Sequence, residues 1–222
     1  MNKHKGFFLC LEGPDGAGKT TMRKHIEQWF ADIGINCILT REPGGTPEAE
    51  LVRERILMDR RPGTEPIKPI AKTMMFMTAR ALHLENMVWP NVEAGHLVIS
   101  DRFCDSTFAY QSAEGVPVEK LRALHAVAFD GFQADLTIVL DGDPEAFRKR
   151  MVDNRGEAGM TYYDKKPMSF HVATREMYLE NAKNYPERYA VIDAEQNEEQ
   201  VMAQLIPHLM RIDQHMRKRP SE

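Results

Sequence analysis

The sequence is poor in several features that would narrow its class at once. It has three cysteines, Cys10, Cys37 and Cys104, none in a CxxC pair and none near a histidine at metal spacing. That leaves neither a disulfide framework nor a zinc site to expect. Cys10 and Cys37 stand in apolar runs and read as core residues. An excess of one charge is also missing. The 29 basic residues face 33 acidic ones, for a net charge of -4, so no surface is built to coat nucleic acid and no recognition module appears. No apolar run approaches the length of a membrane span. The first, Phe7 to Leu11, is stopped by Glu12 too early for a signal peptide. Repeats and domain-scale linkers are absent. With 42% hydrophobic residues among 222, the chain can bury a real core, and one domain over residues 1–222 is expected. The expected location is cytoplasmic, in the host cytoplasm if the chain is viral.

What is present is an alternation. Gly6 to Glu12, Ile35 to Thr40, "GHLVISD", "ADLTIVLDGD" and "RYAVIDA" read as five short buried strands. Helical spacing runs between them: Lys19 to Ile33, Pro47 to about Asp59 behind a Thr46 cap, Ala71 to Trp89 ahead of Pro90, Val118 to Phe129, Met168 to Ala182 and Glu198 to Met216. The pattern predicts an α/β fold, a five-stranded parallel sheet with helices on both faces. Ligands of such sheets gather beyond the C-terminal strand ends. Here Glu12, Arg41, Asp101, Asp141 and Asp193 each follow a strand.

Gly13 to Thr20, "GPDGAGKT", fits G-x-x-x-x-G-K-[ST] between a strand and a helix. Gly13, Asp15, Gly16, Ala17 and Gly18 form a loop whose N–H groups can wrap a phosphate, and the helix N-terminus adds its own donors. Lys19 is expected on the β and γ phosphates and Thr20 on Mg²⁺, with Thr21 beside it. The loop implies a nucleoside triphosphate without choosing the acceptor. No Asn-Lys-x-Asp follows a late strand, which argues against a guanine switch protein. Three further clusters have the inventory of a nucleoside monophosphate site, with cations for phosphate, a ring for stacking and donors for a base edge. They are Arg41 to Gly45, the Phe76/Arg80 pair one helical turn apart, and "DRFCDSTFAYQ" from Asp101 to Gln111. Each also has a plainer reading: Phe76 and Tyr110 as core aromatics, Asp101 and Arg102 as a structural ion pair, Asp15 as a loop brace.

Together "EGPDGAGKTT", "TREPGGTP", "FMTARALH", "DRFCDSTFAYQ" and "VIDA" resemble the thymidylate kinase family over about residues 6 to 205. The resemblance implies a P-loop nucleoside monophosphate kinase fold that moves a phosphoryl group from ATP to dTMP, giving dTDP and ADP. It implies Asp15 near the acceptor's 3′-hydroxyl and phosphate, Arg41 and Arg102 on that phosphate, and Pro43 in the pocket wall. It further implies Phe76 stacked on thymine and Arg80 on thymine O4. Ser106 and Thr107 would lie at the base, Tyr110 against the deoxyribose with Gln111 in the same wall, and Asp101 supporting Mg²⁺ or Arg102. A homodimer is implied as well.

The resemblance also implies a lid over about residues 150 to 167, and because the phosphate loop carries no arginine the lid is expected to supply the one the family uses, Arg155 first and Arg150 second. Arg148 and residues 194 to 196 are expected on the adenine side. The runs 58 to 70 and 152 to 168 fit the family less well. Two other functions stay open. One is a kinase for a 5-modified deoxyuridylate such as 5-hydroxymethyl-dUMP, with Cys104, Phe108 and Met77 near the modified carbon. The other is an idle nucleotide-binding regulatory protein on the same fold.

Overall fold

The computed structural model describes residues 4–57, 65–156 and 160–218. Five strands, β1 (Phe7–Glu12), β2 (Cys37–Arg41), β3 (Leu97–Asp101), β4 (Leu136–Asp141) and β5 (Tyr189–Asp193), form one parallel sheet in the order β2-β3-β1-β4-β5. The register aligns Arg41 with Asp101 and Asp101 with Leu11, so the functional ends of three strands meet at one edge.

β1 shows why the chain makes two layers. Phe7, Leu9 and Leu11 enter one core with Ile26 and Phe30 of α1 (Lys19–Asp32) and Leu205 and Leu209 of α9 (Glu198–Arg217). Phe8 and Cys10 point the other way, to Leu84, Val98, Phe103 and Leu121. A period of two with apolar residues on both faces requires helices on both faces. The second face is covered by α3 (Pro69–His83), α5 (Cys104–Ala113) and α6 (Val118–Phe129), with α8 (Met168–Asn184) beside α5.

Three helices have informative ends. In α2 (Pro47–Leu57), the Thr46 hydroxyl accepts from Ala49 N, the expected cap. The expected continuation to Asp59 falls on residues 58–64, outside those described. The helix expected to stop before Pro90 does not stop there. α3 passes through a π-turn (Leu84–Val88) into α4 (Trp89–Glu93). Trp89 N reaches back five residues to Leu84 O, which widens the turn, and Pro90 then occupies a first-turn position where no N–H is needed. α7 (Pro144–Arg155) keeps helical geometry into the expected lid. After residues 157–159, which are not described, Thr161 and Asp164 exchange side-chain-to-backbone bonds of 2.8 and 3.3 Å.

The Phe30 ring is fully buried between α1 and the sheet. Phe30→Ala should lower unfolding stability by about 3–5 kcal/mol, read from urea midpoints. A loss under about 1 kcal/mol would mean this layer is not packed as described.

Candidate active site

The phosphate loop turns where only glycine fits. A Cβ on Gly13 would lie 2.5 Å from Leu140 O, and one on Gly16 2.5 Å from Phe147 O, and both residues have positive φ. Lys19 opens α1 with its side chain folded back over the loop, Nζ donating to Gly13 O at 2.9 Å and Pro14 O at 2.8 Å. Burial and the Arg102 guanidinium lower its pKa to about 8, with Asp15 and Asp101 opposing. A bound polyphosphate would supply the negative charge that restores it.

The loop opens into a cavity of about 440 Å³. Asp15, Gly16, Gly18, Lys19, Thr20 and Thr21 line the donor side, whereas Gly13 and Ala17 lie beneath it. Arg41, Pro43, Phe76, Arg80, Arg102, Ser106, Thr107, Tyr110 and Gln111 all line the same cavity. The expected acceptor residues are therefore brought together.

Arg102 stands between the two sides. Its φ is 74°, a region that non-glycine residues rarely adopt, and the turn is held by Arg102 N to Leu11 O (2.9 Å) and Ser100 Oγ to Arg102 O (2.7 Å). Its guanidinium donates to Gly13 O, Ser106 Oγ, Tyr178 OH, Asp15 Oδ1 and Tyr110 OH at 2.7–3.3 Å. Arg80 is fixed in another way. Its Nε donates to Glu42 Oε2 at 2.8 Å, and Nη2 donates to Phe103 O and Thr107 Oγ1. Nη1 meets only the Met77 thioether, at 3.7 Å, among the described residues. Burial alone would raise the Glu42 carboxyl pKa, but Arg80 and His83 outweigh it and hold it low. Arg41 sits at the cavity mouth, half exposed and paired with Glu50 at 2.9 Å.

Sequence reasoning missed three contributors. Arg53 lines the cavity and donates to Pro43 O at 2.7 Å. Burial, Arg41 and Arg102 all depress its pKa. Its signal was an arginine on the same helical face as buried Ala49 and Ile56. Tyr163, not among the residues expected at the site, is buried and forms part of the wall. Glu12 ends β1 wholly buried and accepts from Phe103 N, Ser106 N, Ser106 Oγ and Tyr178 OH. It thereby caps α5 from another element, a link that local sequence cannot display.

The lid arginines fall differently from expectation. Arg150 donates to Ala194 O (2.7 Å) and Glu195 O (3.0 Å), on the segment expected at the adenine side, and does not line the cavity. Arg148, expected on that segment, faces a separate groove with Glu145, Lys149 and Met168. Two residues apart on a helix is about 200°, so only one of them can face the strand ends. Arg155 closes α7, and its side chain lies outside the described residues.

For a divalent ion, Thr20 and Asp101 both line the cavity, and neither side chain has a hydrogen-bond partner among the described residues. No cluster of three or more His, Cys, Asp or Glu able to hold a metal occurs among those residues. Such a donor set suits a magnesium ion carried mainly by phosphate oxygens.

A parallel sheet, a phosphate loop at its switch edge and a second anion-binding wall facing that loop define a P-loop kinase of the nucleoside monophosphate type. The family model described as thymidylate kinase matches residues 11–205. Curated proteins named thymidylate kinase are similar along nearly their whole length. That of Chromohalobacter salexigens is 40% identical over 92% of this chain and 95% of its own. That of Hahella chejuensis is 38% identical over 90% and 93%, and that of a Geobacillus strain 37% over 93% and 97%. The chain belongs to the thymidylate kinase family.

Burial and the Asp105 carboxylate raise the Glu12 pKa to about 7, against Arg102, Ser106 and Phe103 N–H. A carboxyl raised on folding stabilises when protonated, so its contribution is full below about pH 4.5 and is lost as pH rises through 7. Glu12→Gln should therefore gain stability relative to the parent between pH 5.5 and pH 8. Parallel urea-midpoint profiles across that range would sink this assignment.

Proposed function

We propose that this protein transfers the γ-phosphoryl group of ATP to dTMP, with Mg²⁺, giving dTDP and ADP. The observation that carries the reading is one cavity holding both the phosphate loop and the wall of Phe76, Arg80, Thr107 and Gln111. ATP phosphates fit the loop amides, Lys19 and the α1 N-terminus. The acceptor base fits against Phe76, its phosphate among Arg41, Arg53 and Arg102, and its sugar between Asp15 and Tyr110. An acceptor oxygen then attacks the γ-phosphorus in line, and the cations bear the charge that spreads over the equatorial oxygens. Thr20 and Asp101 would hold Mg²⁺, which would offset the negative charge of the phosphates. The acceptor phosphate is largely deprotonated near neutrality, so no protein base is needed. Arg155 remains the assignment for the lid, whereas Arg150, tied to the 194–195 carbonyls, is read as bracing the adenine side.

The names of the relatives favour dTMP over a hydroxymethylated analogue. The intact set of Lys19, Asp15, Arg41 and Arg102 speaks against an idle binding protein. No described helix is long and apolar enough to cross a membrane, and a cytoplasmic site of action accords with a nucleotide substrate. A homodimer accords with the apolar side chains left exposed on α2, α3 and α6: Leu51, Ile70, Met74 and Val127.

Lys19→Ala should lower kcat by about 10²–10³-fold with dTMP and ATP, measured as ADP release with the product checked by mass. Near-parental turnover would refute the cradle. Sedimentation should give twice the 25.4 kDa chain mass, and Met74→Glu should halve it. A parental monomer across micromolar concentrations would remove the dimer.

A further inference from the structure

A directional hydrogen-bond chain ends on the acceptor wall. It begins at Glu114, the C-cap of α5, whose carboxylate is almost wholly buried. Lys72 of α3 lies 2.8 Å from Glu114 Oε1 and Lys166 lies 3.4 Å away. The Tyr162 hydroxyl donates to the same oxygen at 3.2 Å. An ionised carboxylate between two lysines only accepts. The Tyr163 hydroxyl stands 3.5 Å from Glu114 Oε2, at the outer limit of a hydrogen bond, and the charge of the carboxylate turns its one proton that way. Burial and Glu114 both raise the Tyr163 pKa, so the proton stays on the phenol. The phenolic oxygen is then left to accept, and Gln111 Nε2 donates to it at 3.0 Å.

That polarity fixes an otherwise ambiguous side chain. Reversing the Gln111 amide would set its oxygen against a hydroxyl whose proton is already committed. With Nε2 turned to Tyr163, Oε1 is left for the cavity that Gln111 lines, and no described residue pairs with it. Gln111 lies one turn along α5 from Thr107, and Thr107 Oγ1 accepts from Arg80. A fixed acceptor therefore stands one helical turn from the residue that holds Arg80, whose Nη1 meets only the Met77 thioether among the described residues.

We propose that Tyr163, oriented by Glu114, is a positioning residue that holds Gln111 Oε1 toward the acceptor base. Together with Arg80 it selects a pyrimidine that has a carbonyl beside a ring N–H, as in thymine and uracil. Cytosine presents the opposite order at that edge, an amino group beside a bare ring nitrogen, and meets donor with donor and acceptor with acceptor. The inference rests on the dTMP kinase reading above. It adds that base discrimination depends on a residue of the lid-side segment.

The test is kcat/KM for dTMP, dUMP and dCMP in the parent, Tyr163→Phe, Tyr162→Phe and Gln111→Met. Tyr163→Phe keeps the ring that packs on Tyr110 and Phe170 and deletes only the hydroxyl. Its preference for dTMP over dCMP should fall about five- to tenfold, as expected for one lost neutral hydrogen bond, mostly through KM for dTMP. dUMP should follow dTMP. Gln111→Met, which removes the same bond from its other end, should lose at least as much preference, and Tyr162→Phe should keep the parental ratio. An unchanged ratio in Tyr163→Phe, equal losses with dTMP and dCMP, or the same fall in Tyr162→Phe would each overturn the proposal. A parent that does not phosphorylate dTMP would instead overturn the kinase reading, so the two failures are told apart.

Discussion

The part-buried guanidinium of Arg102 is the contact on which both halves of the site depend. It bonds at once to the phosphate loop, through Gly13 O and Asp15, and to the acceptor wall, through Ser106 and Tyr110. Its backbone is held at positive φ, and strain of this kind survives only where the surroundings over-determine it. Glu12 provides much of that constraint. It lies 4.0 Å from the guanidinium and caps α5, so the end of β1 and the start of α5 cannot shift independently. A phosphoryl transfer in which positioning does most of the work needs its two phosphates held in one frame. Here that frame is a strand end, a helix start and one arginine.

The electrostatics have the same logic. Lys19, Arg41, Arg53 and Arg102 crowd the cavity, and burial together with mutual repulsion lowers the pKa of Lys19 and of Arg53. Their carboxylate partners among the described residues are few: Asp15 and, at 4.0 Å, Glu12 for Arg102, Asp15 distantly for Lys19, and Glu50 for Arg41. Such a site is short of negative charge, and the phosphates of two nucleotides supply it. The pairs differ in what they would cost to break. Arg41–Glu50 is half exposed and weak, so Arg41 is free to turn to a substrate. Arg80–Glu42 is buried and braced by His83, so Arg80 is a fixed part of the wall.

What the sequence made legible follows from how local each signal was. The phosphate loop is eight consecutive residues with a strand before and a helix after, and every constraint on it acts within that span. The residues that line the cavity opposite the phosphate loop were legible because they cluster in three short runs, each at a strand end or on one helical face. Glu12 escaped because its partners lie more than 90 residues away, at Phe103, Ser106 and Tyr178. Arg150 rather than Arg148 meets residues 194 and 195 because strand-to-helix geometry sets the phase of α7, and its weak amphipathic pattern does not declare it. Pro90 was read by its usual effect, and the π-turn that absorbs it has no sequence signature of its own.

Tyr163 shows why shape alone would make a poor reader of the base. Apolar pockets separate close analogues weakly, whereas a site that must pair its own buried polar atoms separates them strongly, because the wrong ligand leaves those atoms unpaired. That advantage exists only if each polar atom has one orientation, and a glutamine amide has two of nearly equal volume. The buried carboxylate of Glu114, fixed by two lysines, removes the choice by giving the chain of donors a direction. The ion cluster around it therefore acts on the base through polarity.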